Sequence, residues 1–346
     1  MPPASSPPTR TPHHPAALTT LAALTLLALA AIAASLMFGS SRLGPGQVIT
    51  TLLHPSDPTT SELHAIVYGV RIPRTVLGIV VGTCLGLAGA LMQGHTRNPL
   101  ADPGLFGVSA GAGLAVVIGV YLLGVTGSSL DVLFALAGAL TASTAVFAVT
   151  AAGSATASPV PLALAGTAVS ALLDALTSFI VLSDRDALNA YRLWVTGSLS
   201  GRELTITWSV LPFALAGLLL ALLNSRALDN LSLGTDMAQG LGENVIRARI
   251  TGLAAITLLT AAATAAAGPI GFAGLVVPHL ARATVGTSHR HVLPACALLG
   301  TTLVLTADVI GRLIGGMGEI EVGIVLAVIG GPFFIAVARR KSLAAL

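Results

Sequence analysis

The sequence predicts an all-α, polytopic membrane protein of about ten transmembrane helices, several of them short or broken. Three observations carry that prediction. Of the 346 residues, 54% are hydrophobic and 9% are charged. A soluble domain carries about a quarter charged residues, so too little polar material is present here to cover a wetted surface. Mean hydropathy is +0.89, and the apolar residues gather in runs of about twenty, the length that crosses a hydrocarbon core of about 30 Å.

In chain order, residues 1–14 are rich in Pro, Ser and His and read as a disordered cytoplasmic tail, followed by a single transmembrane domain over 15–342. The run at 16–38 is longer than the apolar region of a signal peptide and reads as an uncleaved first span. Further runs lie at 73–93, 105–124, 132–152, 160–182, 204–223, 248–267, 292–314 and 322–338. A shorter piece at 271–286, interrupted by Gly, Pro and His, makes ten. All are rich in Ala, Gly, Leu and Val, and small residues let transmembrane helices approach closely.

Ten spans place both termini on one side. With the N-terminus inside, ten basic residues fall in inner segments and seven in outer ones, a bias in the sense of the positive-inside rule. Both termini are therefore expected in the cytoplasm, in a multi-pass protein of the cytoplasmic membrane. In the inner segment 224–247, the apolar residues Leu233, Met237, Ala238 and Leu241 recur at helical spacing. Gly234 and Gly242 bracket them, which predicts a short amphipathic helix near 230–244 on the cytoplasmic face. The outer segment 183–203 also has helical character, with Trp194 as an interfacial anchor.

Composition also narrows the function. Two cysteines, Cys84 and Cys296, lie in apolar runs without a Cys/His ligand cluster, and read as small core- or lipid-facing residues rather than metal ligands. The pI of about 9.3 comes from scattered arginines, with Lys341 as the single lysine; that pattern sets orientation in a bilayer and does not suggest nucleic acid. No Gly-x-x-x-x-Gly-Lys-Ser/Thr loop is present, so the chain does not bind ATP by that route. No enzymatic activity and no resident cofactor are expected.

Three segments depart from plain membrane helix. Arg71-Ile-Pro-Arg74 places two cations by Pro73, a residue suited to a first helical turn. There they would oppose the helix dipole unless an anionic partner met them, or they would reach lipid phosphates. Arg97-Asn-Pro-Leu-Ala-Asp-Pro-Gly104 cannot continue a helix; it is a cytoplasmic turn or the lining of a gate. Gly268-Pro-Ile-Gly-Phe-Ala-Gly-Leu-Val-Val-Pro-His-Leu-Ala-Arg282 reads as a broken helix of the kind transporters keep near their pathways, with His279 a structural histidine. Asp174 and Asp308 are acids within spans; an intrahelical pair of Asp308 with Arg312 and a proton-coupling role are both open at this point.

The ordered set of motifs resembles the permeases of iron–siderophore importers, a group related to cobalamin and haem permeases. It comprises Arg71-Ile-Pro-Arg74, Gln93, Arg97 to Gly104, Gly107, Gly111-Ala-Gly113, Leu164-Ala-Gly166 and Trp194-Val-Thr-Gly-Ser-Leu199. It continues with Leu233-Gly234, Ala238, Leu241-Gly242, Gly268 to Arg282, Ala307-Asp308 and Gly330-Gly-Pro-Phe-Phe334, covering nearly all of 40–340. The resemblance implies a permease that imports ferric siderophore by alternating access. Its partners would be a second permease subunit (an identical copy or a paralogue), two cytoplasmic ABC ATPases and an external binding protein. It implies docking of that protein at Arg71, Arg74 and Arg312, a pathway constriction at Gln93, Asn98, Pro99 and Leu100, and ATPase coupling at Leu233, Gly234, Ala238, Leu241 and Gly242. Glu321 stands where such permeases commonly have proline, and the segment Ala157 to Pro161 lacks the basic residues often found there. Cobalamin or haem as cargo, and a proton-coupled carrier using Asp174 and Asp308, are the alternatives.

Overall fold

The computed structural model describes residues 14–41, 43–54, 61–124, 129–153, 159–315 and 318–339. The expected tail before His14, the extreme C-terminus and Ala157 with Ser158 lie outside the described residues. Every regular element among the described residues is helical. In order they are α1 (His14–Met37), α2 (Pro45–Leu53), α3 (Ser61–Ile66), α4 (Ile72–Thr96), α5 (Val108–Leu123), α6 (Ser129–Gly153) and α7 (Pro159–Ser183). There follow α8 (Arg185–Val195), α9 (Leu204–Ser232), α10 (Thr235–Gly240), α11 (Val245–Ala267), α12 (Ala273–Val285), α13 (His289–Ile314) and α14 (Val322–Ala338).

Seven helical runs are long and apolar enough to cross a membrane: α1, α3 continued into α4, α6, α7, α9, α11 and α13. Helices α5 and α14 are apolar but shorter, and α12 has 13 residues. Among the described residues, length and composition thus support seven candidate spans, with α5, α12 and α14 as shorter helices, where the sequence suggested ten crossings.

One expectation is corrected at the start of α4. A π-turn over Val67–Arg71 joins α3 to α4, with the Ile72 amide bonded to the Val67 carbonyl. The wider turn lets the helix run on through Pro73, which has no amide hydrogen to give. Arg71 and Arg74 therefore sit inside a 35-residue helical run and not at a helix N-terminus, and the helix-dipole penalty does not arise.

Helix α4 is the axle of the bundle. Its central span is 78% buried, against 17% for α7. It packs on α13, α11, α9 and α12. Close approach depends on glycine: a Cβ at Gly82 would lie 2.5 Å from the Gly300 carbonyl oxygen of α13. Cys84 and Cys296 are buried in this packing, as composition suggested. Trp194 differs from expectation: it is 7% exposed and packs against Gly113 of α5, inside the protein rather than at the bilayer interface.

The broken segment is as the Gly/Pro pattern indicated. Helix α11 ends at Ala267, Gly268 (φ 76°) and Phe272 (φ 65°) turn the chain, and α12 begins at Ala273. A left-handed phenylalanine is strained, so the surrounding packing holds this corner in place. Ser198 donates to the Ala267 carbonyl at 2.7 Å, and the Gly323 amide donates to Gly197 at 3.0 Å. Those bonds tie the break and the start of α14 to the loop after α8.

Candidate functional site

Two polar constellations lie at opposite ends of α4. The one at the N-terminal end of α4 joins five ionisable side chains. Arg74 bonds Asp308 through Nε at 3.0 and 3.1 Å and through Nη2 at 2.7 Å. Its Nη1 reaches Glu319 at 2.5 Å. Arg312, one turn after Asp308, pairs with the same carboxylate at 2.9 Å and donates to the carbonyls of Ser35 and Phe38 at 3.1 and 2.8 Å. Arg71 donates to the carbonyls of Leu36 and Met37 at 2.9 and 2.8 Å.

The local logic is that of helix ends. The last carbonyls of α1 have no amide above them, and cations are favoured at that negative end. Arg71 and Arg312 supply both needs. Asp308 is fully buried, and a carboxylate there requires the two guanidiniums it receives. The intrahelical Asp308–Arg312 pair suggested by sequence is present, extended by an Arg74 that lies 234 positions away. All three arginines expected at a docking surface are thus gathered at one end of the bundle, each 2–3% exposed and partnered within the chain. Glu319 lies in the loop between α13 and α14. Burial opposes its ionisation, but hydrogen bonds from Arg74, Ser40 and Ser200 hold its carboxyl below the usual range.

At the C-terminal end of α4, a cavity of about 430 Å³ opens between α4, α9, α12 and α13. Gln93 is 4% exposed and braces α4 to α12: its amide nitrogen donates to the carbonyls of Gly274 and Leu275, and its oxygen accepts from Arg282. Arg97 closes α4 in the left-handed conformation (φ 49°) and reaches the hydroxyl of Thr235 on α10. Asn98 accepts from the Leu100 amide at 3.0 Å, and Asp102 from Gly104 at 2.8 Å, which shapes the irregular turn foreseen at 97–104. Burial raises the pKa of Asp102, with the Gly104 amide opposing. Asp229 of α9 accepts from the backbone amide and Nδ1 of His289, each at 2.8 Å, and from Ser288 at 3.2 Å.

Gln93, Pro99 and Arg97 line this cavity, while Asn98 and Leu100 lie in the turn that follows. Beside it, α10 starts after Gly234 (φ 113°) and stops before Gly242 (φ 83°), the bracketing read from sequence. Met237 on its exposed side, with the flanking Leu233 and Leu241, forms an apolar ridge, all three about 60% exposed. Ala238 points the other way, buried with Ala227, Leu231, Val245 and Ala248. Arg282 of the cavity is a residue whose role no motif indicated; only its contact with Gln93 reveals it.

Two further features bear on function. Asp174 is exposed on α7, with Thr167 and Ser178 also exposed along that helix. Gly107-Val-Ser-Ala-Gly111 has the spacing of a nucleophile elbow, a device that needs a strand before the serine. Here a 3₁₀ turn over Pro103–Phe106 precedes it and α5 follows, so Ser109 is a helix-start serine. Among the described residues, no group of three or more His, Cys, Asp or Glu side chains is placed to hold a metal.

Residues 26–340 match the family model described as the FecCD transport family. The chain is 47% identical over 320 residues to the ferric enterobactin transport system permease protein FepD of Escherichia coli K12, covering 92% of this chain and 94% of that one. It is 42% identical to the Fe(3+)-citrate import system permease protein YfmD of Bacillus subtilis 168, over 81% and 83% of the two chains. A solved structure described as an inward-facing conformation of a metal-chelate type ABC transporter superposes with a TM-score of 0.80 at 27% identity, covering 94% of this chain and 99% of the other. This all-helical, multi-pass membrane chain belongs to the FecCD transport family.

Proposed function

We propose that this chain is the transmembrane permease subunit of an ATP-binding-cassette importer that moves ferric siderophore complexes across the cytoplasmic membrane by alternating access. The observation that carries the proposal is the end-to-end match to permeases of iron-chelate uptake, at 47% and 42% identity. In this reading the seven long helices and the three short ones make ten passes, with both termini in the cytoplasm. ATP is hydrolysed by two separate cytoplasmic subunits that dock on the Leu233, Met237 and Leu241 side of α10, an apolar ridge on a surface helix. Ala238 anchors that helix, and Gly234 and Gly242 set its ends.

A second permease covers α7. A carboxylate facing lipid at mid-span costs about 2.5–3.5 kcal/mol on insertion scales, so Asp174 is better served by a subunit interface or a water-filled pathway. Gln93, Asn98, Pro99 and Leu100 form the inner constriction. The external binding protein approaches the Arg71, Arg74 and Arg312 end. Of the two carboxylates on Arg74, Glu319 is the outer one, with its side chain 21% exposed. Acidic residues of the binding protein would compete with it there.

The test is uptake of ⁵⁵Fe-labelled siderophores by cells deleted for this gene and supplied with it again. Restored iron uptake supports the reading. Restored cobalamin or haem uptake without iron uptake would overturn the cargo assignment, since haemin and cobalamin permeases are also relatives, at 38% identity.

A further inference from the structure

We infer that the inner cavity is a receptor for an acidic side chain of the cytoplasmic ATPase, with Arg282 and Arg97 as its cationic walls. This rests on the reading that the ATPase docks at α10. It adds a polar contact beside the apolar ridge that the motifs indicate.

The first observation is a charge imbalance. Arg71, Arg74 and Arg312, the buried cations at the outer end, have carboxylate or helix-end carbonyl partners. Arg282 is partly buried, and among the described residues it donates to the neutral Gln93 oxygen and forms an ion pair with no carboxylate. Among the described residues, Arg97 has the Thr235 hydroxyl as its side-chain partner, at the long distance of 3.5 Å. Asp229, the acid on the cavity wall, is committed to His289 and Ser288. A guanidinium taken partly out of water without a counter-charge is unfavourable, which applies to Arg282; Arg97 is exposed at the rim, and the room in front of the two is about 430 Å³.

The second observation is placement. The cavity lies at the inner end of α4, the most buried of the spans. It therefore opens toward the middle of the cytoplasmic face, where a protein partner reaches it more readily than a lipid headgroup. Thr235, at the first residue of α10, touches Arg97. The exposed ridge of Leu233, Met237 and Leu241 begins beside it. A partner seated on that ridge has its neighbouring side chains over the cavity mouth.

The third is connectivity. Arg97 leads directly into Asn98, Pro99 and Leu100, and its backbone is already in a sparsely populated conformation. Arg282 is tied through Gln93 to both α4 and α12. An acid that engages both arginines would pull on the inner turn and on the broken α12 together. Movement of the ATPase is thereby transmitted to the inner constriction, beyond what a purely apolar contact at α10 provides.

The test uses the full permease in nanodiscs with its neighbouring ATPase, labelled for a binding titration at several salt concentrations. Arg282→Gln and Arg97→Gln should each weaken ATPase binding about tenfold or more and flatten its salt dependence, with Arg282→Lys recovering part of the loss. Met237→Asp on the ridge reports on the docking reading separately. If Met237→Asp weakens binding and neither arginine variant does, the cavity inference is overturned while docking at α10 stands. If only the arginine variants weaken it, the acidic contact stands and the ridge is not the main dock. If none does, both readings fall. Should inorganic phosphate raise the thermal midpoint of the wild type but not of Arg282→Gln, with ATPase affinity unchanged in both arginine variants, the cavity holds a small anion and the inference is overturned. Arg97 is exposed, so Arg97→Gln carries the test alone if Arg282→Gln does not fold.

Discussion

Replacing Asp308 by alanine removes the carboxylate that two buried guanidiniums share. Asp308 is fully buried, and the side chains of Arg74 and Arg312 are 4% and 2% exposed. Arg74 would lose three contacts of 2.7–3.1 Å, and Arg312 its 2.9 Å pair. Removing one partner of a buried ion pair costs about 3–5 kcal/mol, because the other charge is left uncompensated. Here Arg74 keeps Glu319 at 2.5 Å and Arg312 keeps the Ser35 and Phe38 carbonyls, which places the loss near the lower end, about 3 kcal/mol. Asp308→Asn keeps the shape and one acceptor, so its cost should be smaller, about 2 kcal/mol. Denaturant titration of purified protein in mixed micelles measures this as a shifted midpoint at unchanged slope. An Asp308→Ala protein within about 0.5 kcal/mol of wild type, the range of an ordinary surface change, would refute the claim that this network holds this end of the bundle together.

The same cluster carries a pH dependence. The native pKa of Glu319 lies below the usual glutamate range, so its contribution is fully present above the unfolded value, about 4.3. It is lost as pH falls through the native value. The wild-type midpoint should therefore drop on acidification below about pH 4.3 more than that of Glu319→Gln, and equal slopes for the two proteins would contradict the assignment. Cys84 and Cys296 are 1% and 0% exposed, so neither should react with a maleimide until the protein is unfolded in detergent. Against that silent background, Asp174→Cys should react with a charged, membrane-impermeant thiol reagent where α7 borders a water-filled pathway, whereas a lipid-facing position or one sealed in a subunit interface would stay unlabelled.

Much of the fold is legible in the sequence because it is written in local chemistry. The apolar runs give the helices, Gly234 and Gly242 bracket α10, and Gly268, Pro269 and Gly271 break the helix between α11 and α12, while Gly274 and Pro278 are carried inside α12. Long-range pairing is not legible in that way. Nothing local tells that Arg74 meets Asp308 across 234 positions, or that Arg282 rests on Gln93. The arginines at 71 and 74 looked like a helix start because Pro73 favours one; the π-turn that carries the helix past Pro73 depends on residues 61–71 being helical already. Trp194 is an interfacial residue by type, but α8 folds back against α5 and buries it. The motifs singled out Arg71, Arg74 and Arg312, which the fold gathers at one end of the bundle; their partners within the chain came only with the fold.

The central claim is ATP-driven import of ferric siderophore through this chain. Its most direct test is transport in proteoliposomes holding the permease with its neighbouring ATPase, supplied with the binding protein and a radiolabelled ferric siderophore. Uptake should require both ATP on the ATPase side and the binding protein on the opposite side. Uptake by the permease alone under an imposed proton gradient, lost in Asp308→Asn and indifferent to ATP, would contradict it.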